Sequence, residues 1–137
     1  MERQAMNYNT WVTLLLVPIL AQTPNLPQPN SNGDYISPTS HRTWVVVDPD
    51  INGLNCRWSD KVPREWYAPH ARWPNLEIGR WPVVRRFPTG TVLTANITPA
   101  GFATITDSRG LPWLKVSIGE EDQICLVRAN RRFIRPR

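Results

Sequence analysis

What most constrains this chain is a series of short β-rich stretches cut apart by turn residues, running from Thr43 to the C-terminal arginines. Thr43–Val47 ("TWVVV") is β-branched and stops at Asp48-Pro49. Gly53–Arg57 ("GLNCR") alternates Leu54 and Cys56 with Asn55 and Arg57. Pro82–Phe87 ends at Pro88, with a turn at Thr89-Gly90. Thr91–Thr98 ends at Pro99, and Phe102–Thr106 runs into Asp107-Ser108-Arg109-Gly110. Trp113–Ile118 alternates, Gly119 turns, and Ile124–Ala129 follows. Successive side chains of a strand face opposite ways, so short strands at a spacing of about 8–12 residues predict a small all-β barrel or sandwich. No long window keeps a helical period with helix-forming composition.

The pattern breaks between Trp58 and Pro82, "WSDKVPREWYAPHARWPNLEIGRWP". That stretch is too long for a hairpin loop, and loops of such length are usually functional or disordered. Its aromatic content argues against disorder. Trp66, Tyr67 and Trp73 lie among Arg64, His70 and Arg72. Rigid aromatics beside arginine are what a peptide- or glycan-binding face uses, so Trp66, Tyr67, Arg72 and Trp73 are the candidate ligand-binding residues. The alternative is a lid whose tryptophans supplement a scant core, as small domains require. A mixed arrangement is expected, with Trp81, beside the strand that starts at Pro82, in the core and Trp66 and Trp73 at least partly exposed.

Ahead of the β-rich region come two other textures. Trp11–Ala21 is an apolar run of eleven residues, against the roughly 20 that span a bilayer. It has the length of a signal-peptide core, with Ala21 at a plausible cleavage point, and predicts export. A short buried strand or an uncleaved anchor is the other reading. Residues 22–42 are rich in Pro and Asn with almost no charge, which predicts a flexible linker and puts the start of the ordered domain at Thr43. In an exported chain two cysteines are most simply one disulfide.

Little in the sequence speaks for catalysis or cofactors. Neither cysteine sits in a CxxC or beside a histidine, which leaves a zinc site or thiol nucleophile without support. His41 and His70 belong to no triad or metal pattern, and no catalytic residue, metal or cofactor is expected. Asp48-Pro49-Asp50-Ile51-Asn52-Gly53 begins like a calcium loop, but position twelve would be Ser59 and no helices flank it, so a β-turn is expected. Net charge is +5 and lysine occurs only at Lys61 and Lys115, so the basic surface is almost all arginine. Nucleic-acid binding through that surface is an alternative opposed by export and by the lack of aromatic–basic interleaving on one strand.

Four motifs then fall in the order of a known family: Leu54-Asn55-Cys56-Arg57, Pro88-Thr89-Gly90-Thr91, Trp113-Leu114-Lys115-Val116 and a closing segment from Leu126 to Ile134. Over about residues 43–137 the chain resembles a bacterial SH3-like domain, of the cysteine-paired type seen in cyanobacteria. It departs from the pattern in having Cys-Leu-Val where the family shows Gly-Trp-Val, and in the length of the segment after Arg57. The resemblance implies a small SH3-like barrel whose first and last strands lie together, which would bring Cys56 within disulfide reach of Cys125. It also implies a non-catalytic extracytoplasmic binding module for cell-wall peptide, peptidoglycan or an envelope protein. A structural subunit of a membrane or envelope complex is the alternative. The expected organisation is residues 1–21 as signal peptide or anchor, 22–42 as linker and 43–137 as the domain, with no stable membrane span in the mature form.

Overall fold

A computed structural model of the chain describes residues 25–60, 76–98, 101–120 and 123–137. The apolar run near the N-terminus lies outside the described residues, as do Trp66, Tyr67, Arg72 and Trp73. Among the described residues no helix is long and apolar enough to cross a membrane.

The strands form where the alternating runs end at turn residues: β1 (Thr43–Val46), β2 (Leu54–Arg57), β3 (Val83–Phe87), β4 (Val92–Thr94), β5 (Thr104–Thr106), β6 (Pro112–Ser117), β7 (Ile124–Arg128) and β8 (Ile134–Pro136). They assemble into two antiparallel sheets, one ordered β4-β1-β8 and the other β3-β2-β7-β6-β5. Gly53 lets the chain pass from β1 to β2. Its φ of +85° suits glycine, and an added Cβ would meet the Phe87 carbonyl oxygen at 3.0 Å.

One core is shared by both sheets. Trp44, Val46, Leu93 and Ile134 come from the smaller sheet, and Leu54, Cys56, Leu114, Val116, Cys125 and Val127 from the larger. Cys56 and Cys125 are bonded and fully buried, with Cα atoms 5.4 Å apart. Each cysteine precedes one member of the Arg57–Leu126 pair that joins β2 to β7. The disulfide thus links neighbouring strands as expected, although these are the second and seventh of the chain. The outermost strands, β1 and β8, pair with each other in the smaller sheet.

The larger sheet is covered on its second face too. Alternate residues Trp113 and Leu126 leave the main core and pack with Ile78, Trp58, Trp81 and Ile105. Ile78 belongs to a 3-10 turn, Ile78–Arg80, that ends the long insertion. Trp81, expected in the core, is only half-buried and packs against the margin of this second cluster.

Two expectations need correction. Closure of a barrel is not seen: among the described residues one isolated bridge, Ala95–Val116, joins the sheets, and β3 and β8 are edge strands. The β8 edge is instead covered by the N-terminal segment. The Tyr35 hydroxyl donates to the Ile134 carbonyl (3.4 Å), and the Arg131 N–H donates to the Gly33 carbonyl (2.8 Å). The β3 edge carries exposed Arg85 and Arg86, the kind of charge that discourages edge pairing. The linker expected over residues 22–42 is also not free along its described length. Asp34 bridges to Asn130, Tyr35 is 4 % exposed, and Tyr35 meets Trp44 edge-to-face at 5.0 Å. Tyr35, Asp34 and backbone hydrogen bonds from Tyr35 to Ala129 and from Arg131 to Gly33 dock a stretch whose composition otherwise favours disorder.

Candidate functional site

The long insertion is the feature that departs furthest from a plain β-domain, and its base is well defined. β2 ends at Arg57 and β3 starts at Val83, so the two ends of the insertion leave adjacent paired strands. Three contacts hold those ends together. The Trp58 N–H donates to the Pro82 carbonyl (3.1 Å), Arg57 Nη1 donates to the Trp81 carbonyl (2.8 Å), and the Trp58 and Trp81 rings meet edge-to-face at 6.0 Å. The register shifts between Cys56 and Arg57, at the point where the insertion departs. Such bulges re-aim a strand and are frequent beside sites.

The returning arm is pinned to the sheet. The Leu76 carbonyl accepts from the N–H and hydroxyl of Ser108 in the β5–β6 turn. Ile78 is fully buried against Trp113, and a Cβ added at Gly79 would meet Cζ2 of the same indole at 3.9 Å. Trp113 is in turn held by Asp107, whose Oδ2 accepts its Nε1–H at 2.8 Å, while Oδ1 accepts the N–H groups of Arg109 and Leu111. Arg128 covers the Trp113 ring at 5.7 Å and donates to Asp34 Oδ1 (3.0 Å) and to the Pro112 carbonyl (2.8 Å). Asn130 Nδ2 also donates to Asp34 Oδ1 (2.9 Å). A chain of contacts therefore runs from the N-terminal segment, through Arg128 and Trp113, to the returning arm of the insertion.

The sequence-predicted ligand residues Trp66, Tyr67, Arg72 and Trp73 belong to the part of the insertion outside the described residues, between Asp60 and Leu76. Of the residues that anchor that segment, sequence reasoning singled out Trp81 as a packing residue but not the anchoring role of Trp58, Trp113, Asp107 and Arg128. The Asp-x-x-Gly turn ahead of Trp113 was the available signal for part of this set.

Elsewhere the Asp48–Gly53 stretch is a turn, as expected. Asp48 Oδ1 accepts the Asp50 N–H and Asp50 Oδ1 accepts the Asn52 N–H, so both carboxylates serve the backbone. His41 rests on Trp44 and its Nε2 lies 3.0 Å from the Arg137 carbonyl, a structural placement. A cleft of about 350 Å³ opens between residues 25–28 and 37–41, floored by Tyr35. Lys115 is 3 % exposed on β6, with Nζ donating to the Thr98 carbonyl at 2.9 Å, and burial lowers its pKa below 10.5. No protein-family model, curated protein or solved structure matches the chain.

Proposed function

We propose that this is a non-catalytic binding module of the extracytoplasmic space, an SH3-like β-domain that presents Trp66, Tyr67, Arg72 and Trp73 to a cell-wall peptide or an envelope protein. The observation that carries the reading is the clamped base of the insertion. Both ends are fixed to a sheet crosslinked by a buried disulfide, which is how rigid scaffolds carry variable recognition segments. A segment of fifteen residues, 61–75, joins these fixed points. Its tryptophans and arginines are the residue types that dominate binding hot spots. Export is supported by the apolar run at Trp11–Ala21 and by the disulfide, since such bonds persist in oxidising compartments.

The test is the double substitution Trp66→Ala and Trp73→Ala, with binding to purified peptidoglycan and to envelope extract measured beside a thermal melt. Binding should fall while the melting temperature stays nearly constant, because exposed substitutions usually change stability by less than about 0.5 kcal/mol. Unchanged binding, or a melting temperature lower by more than about 10 °C, would show that these rings serve packing instead.

A further inference from the structure

We propose that the outward face of the β4-β1-β8 sheet, with the turn before β8, docks on an anionic lipid bilayer. Trp44, Leu93, Ile134 and Pro136 fill the inner face of this sheet, so the residues between them point outward. Arg135 stands opposite Val45, and Val45 opposite Val92. In the next outward row, the Arg137 N–H donates to the Thr43 carbonyl and Thr43 stands opposite Thr94. Of these six only Val45 is partly covered, and Val92 is 50 % exposed. In the turn before β8, Arg131 is exposed.

Charge and position name the occupant. Arg131, Arg135 and Arg137 make no ion pair among the described residues, and Asp34, alongside them, is already paired with Arg128. A flat surface of guanidinium groups and β-branched side chains matches the headgroup region of an acidic leaflet. Arginine pairs with phosphate in two-point fashion, and valine reaches the acyl boundary. The chain also enters the domain at this face, since Gly33 is hydrogen-bonded to Arg131. Only Gln22–Pro29 separates the apolar run from Asn30, a span of about 28 Å when fully extended. A retained N-terminal run would hold this face at the bilayer. The proposal does not rest on the insertion binding a ligand.

Co-sedimentation of the full chain with vesicles of phosphatidylcholine alone, and of an equal mixture with phosphatidylglycerol, tests it. The neutral vesicles report what the apolar run contributes. Each arginine near an acidic surface is worth roughly fivefold, so the three together should favour the mixed vesicles on the order of 100-fold at low salt. Raising the ionic strength should erase most of that preference. The triple variant R131Q/R135Q/R137Q should lose it, and R135Q alone should lose about fivefold. R85Q/R86Q on the β3 edge should keep it, and so should W66A/W73A. Retention by the triple variant overturns the proposal. So does an equal loss in R85Q/R86Q, which would make net charge the cause. Tighter binding to soluble polyglutamate than to the mixed vesicles also overturns it, in favour of an acidic polymer.

Discussion

Trp113 lies with its indole N–H on the buried carboxylate of Asp107 and its ring beneath Arg128. Replacing it with Phe keeps most of the ring and removes the hydrogen bond. Equilibrium urea unfolding should register a loss of about 1.5–3 kcal/mol, the range for a bond to a charged group. Trp113→Ala should cost about 3–5 kcal/mol by opening the second cluster as well. Lys115 gives a pH-dependent case. Its folded pKa is lowered by burial, so between that value and 10.5 the unfolded chain binds more protons and stability rises with pH. Tyr35 acts in the opposite sense above 10.0. Burial raises its pKa, outweighing Arg135 and Arg131, and the folded chain then holds a proton that the unfolded one loses. Unfolding midpoints in urea should therefore climb with pH below 10, and Lys115→Met should flatten that climb.

At the level of elements, the N-terminal segment is the least expected part of the architecture. It forms a turn at Asn30–Asp34, where Asn30 Oδ1 accepts the N–H groups of Asn32 and Asp34, and then covers the free edge of β8. Limited proteolysis should leave a core that begins near Asn30; cleavage that trims cleanly to Thr43 would contradict this packing. Asp34→Ala should cost about 2–4 kcal/mol, because it strips a partly buried Arg128 of its only ion pair among the described residues. The insertion base is a separate unit. Trp81 is half-buried, so Trp81→Ala should cost about 2 kcal/mol, less than a fully buried tryptophan. The same change should weaken ligand binding if the clamp orients residues 61–75.

For the whole molecule, the disulfide is the largest single constraint on the unfolded chain. Cys56 and Cys125 are separated by 69 residues. In the chain-entropy model a loop of that length is worth about 4 kcal/mol. Cys56→Ala with Cys125→Ala should lower the melting temperature by roughly 15 °C or more. Non-reducing intact mass of protein taken from its own compartment should show the bond, and two free thiols there would contradict it. With backbone pairing between the two sheets confined, among the described residues, to the neighbourhood of the Ala95–Val116 bridge, cooperativity depends on the shared core around Trp44 and on this crosslink.

Most strands were legible in the sequence because each is a local matter: alternation of Leu54 and Cys56 against Asn55 and Arg57 needs only the two-residue period and a turn residue to end it, whereas the short β8, Ile134–Pro136, was not read as a separate strand. The cysteine pair was legible because the chain has no other partner to offer. Tertiary structure alone decided the rest, and the reason is sequence separation. Asp34 reads as linker until Arg128 and Asn130, more than ninety residues later, are brought beside it. Trp113 reads as one residue of an alternating strand, until the returning arm of the insertion packs Ile78 against the face that alternation leaves outward. Whether a polar or aromatic side chain is exposed or buried depends on which distant segment arrives to cover it, and no local pattern encodes that arrival.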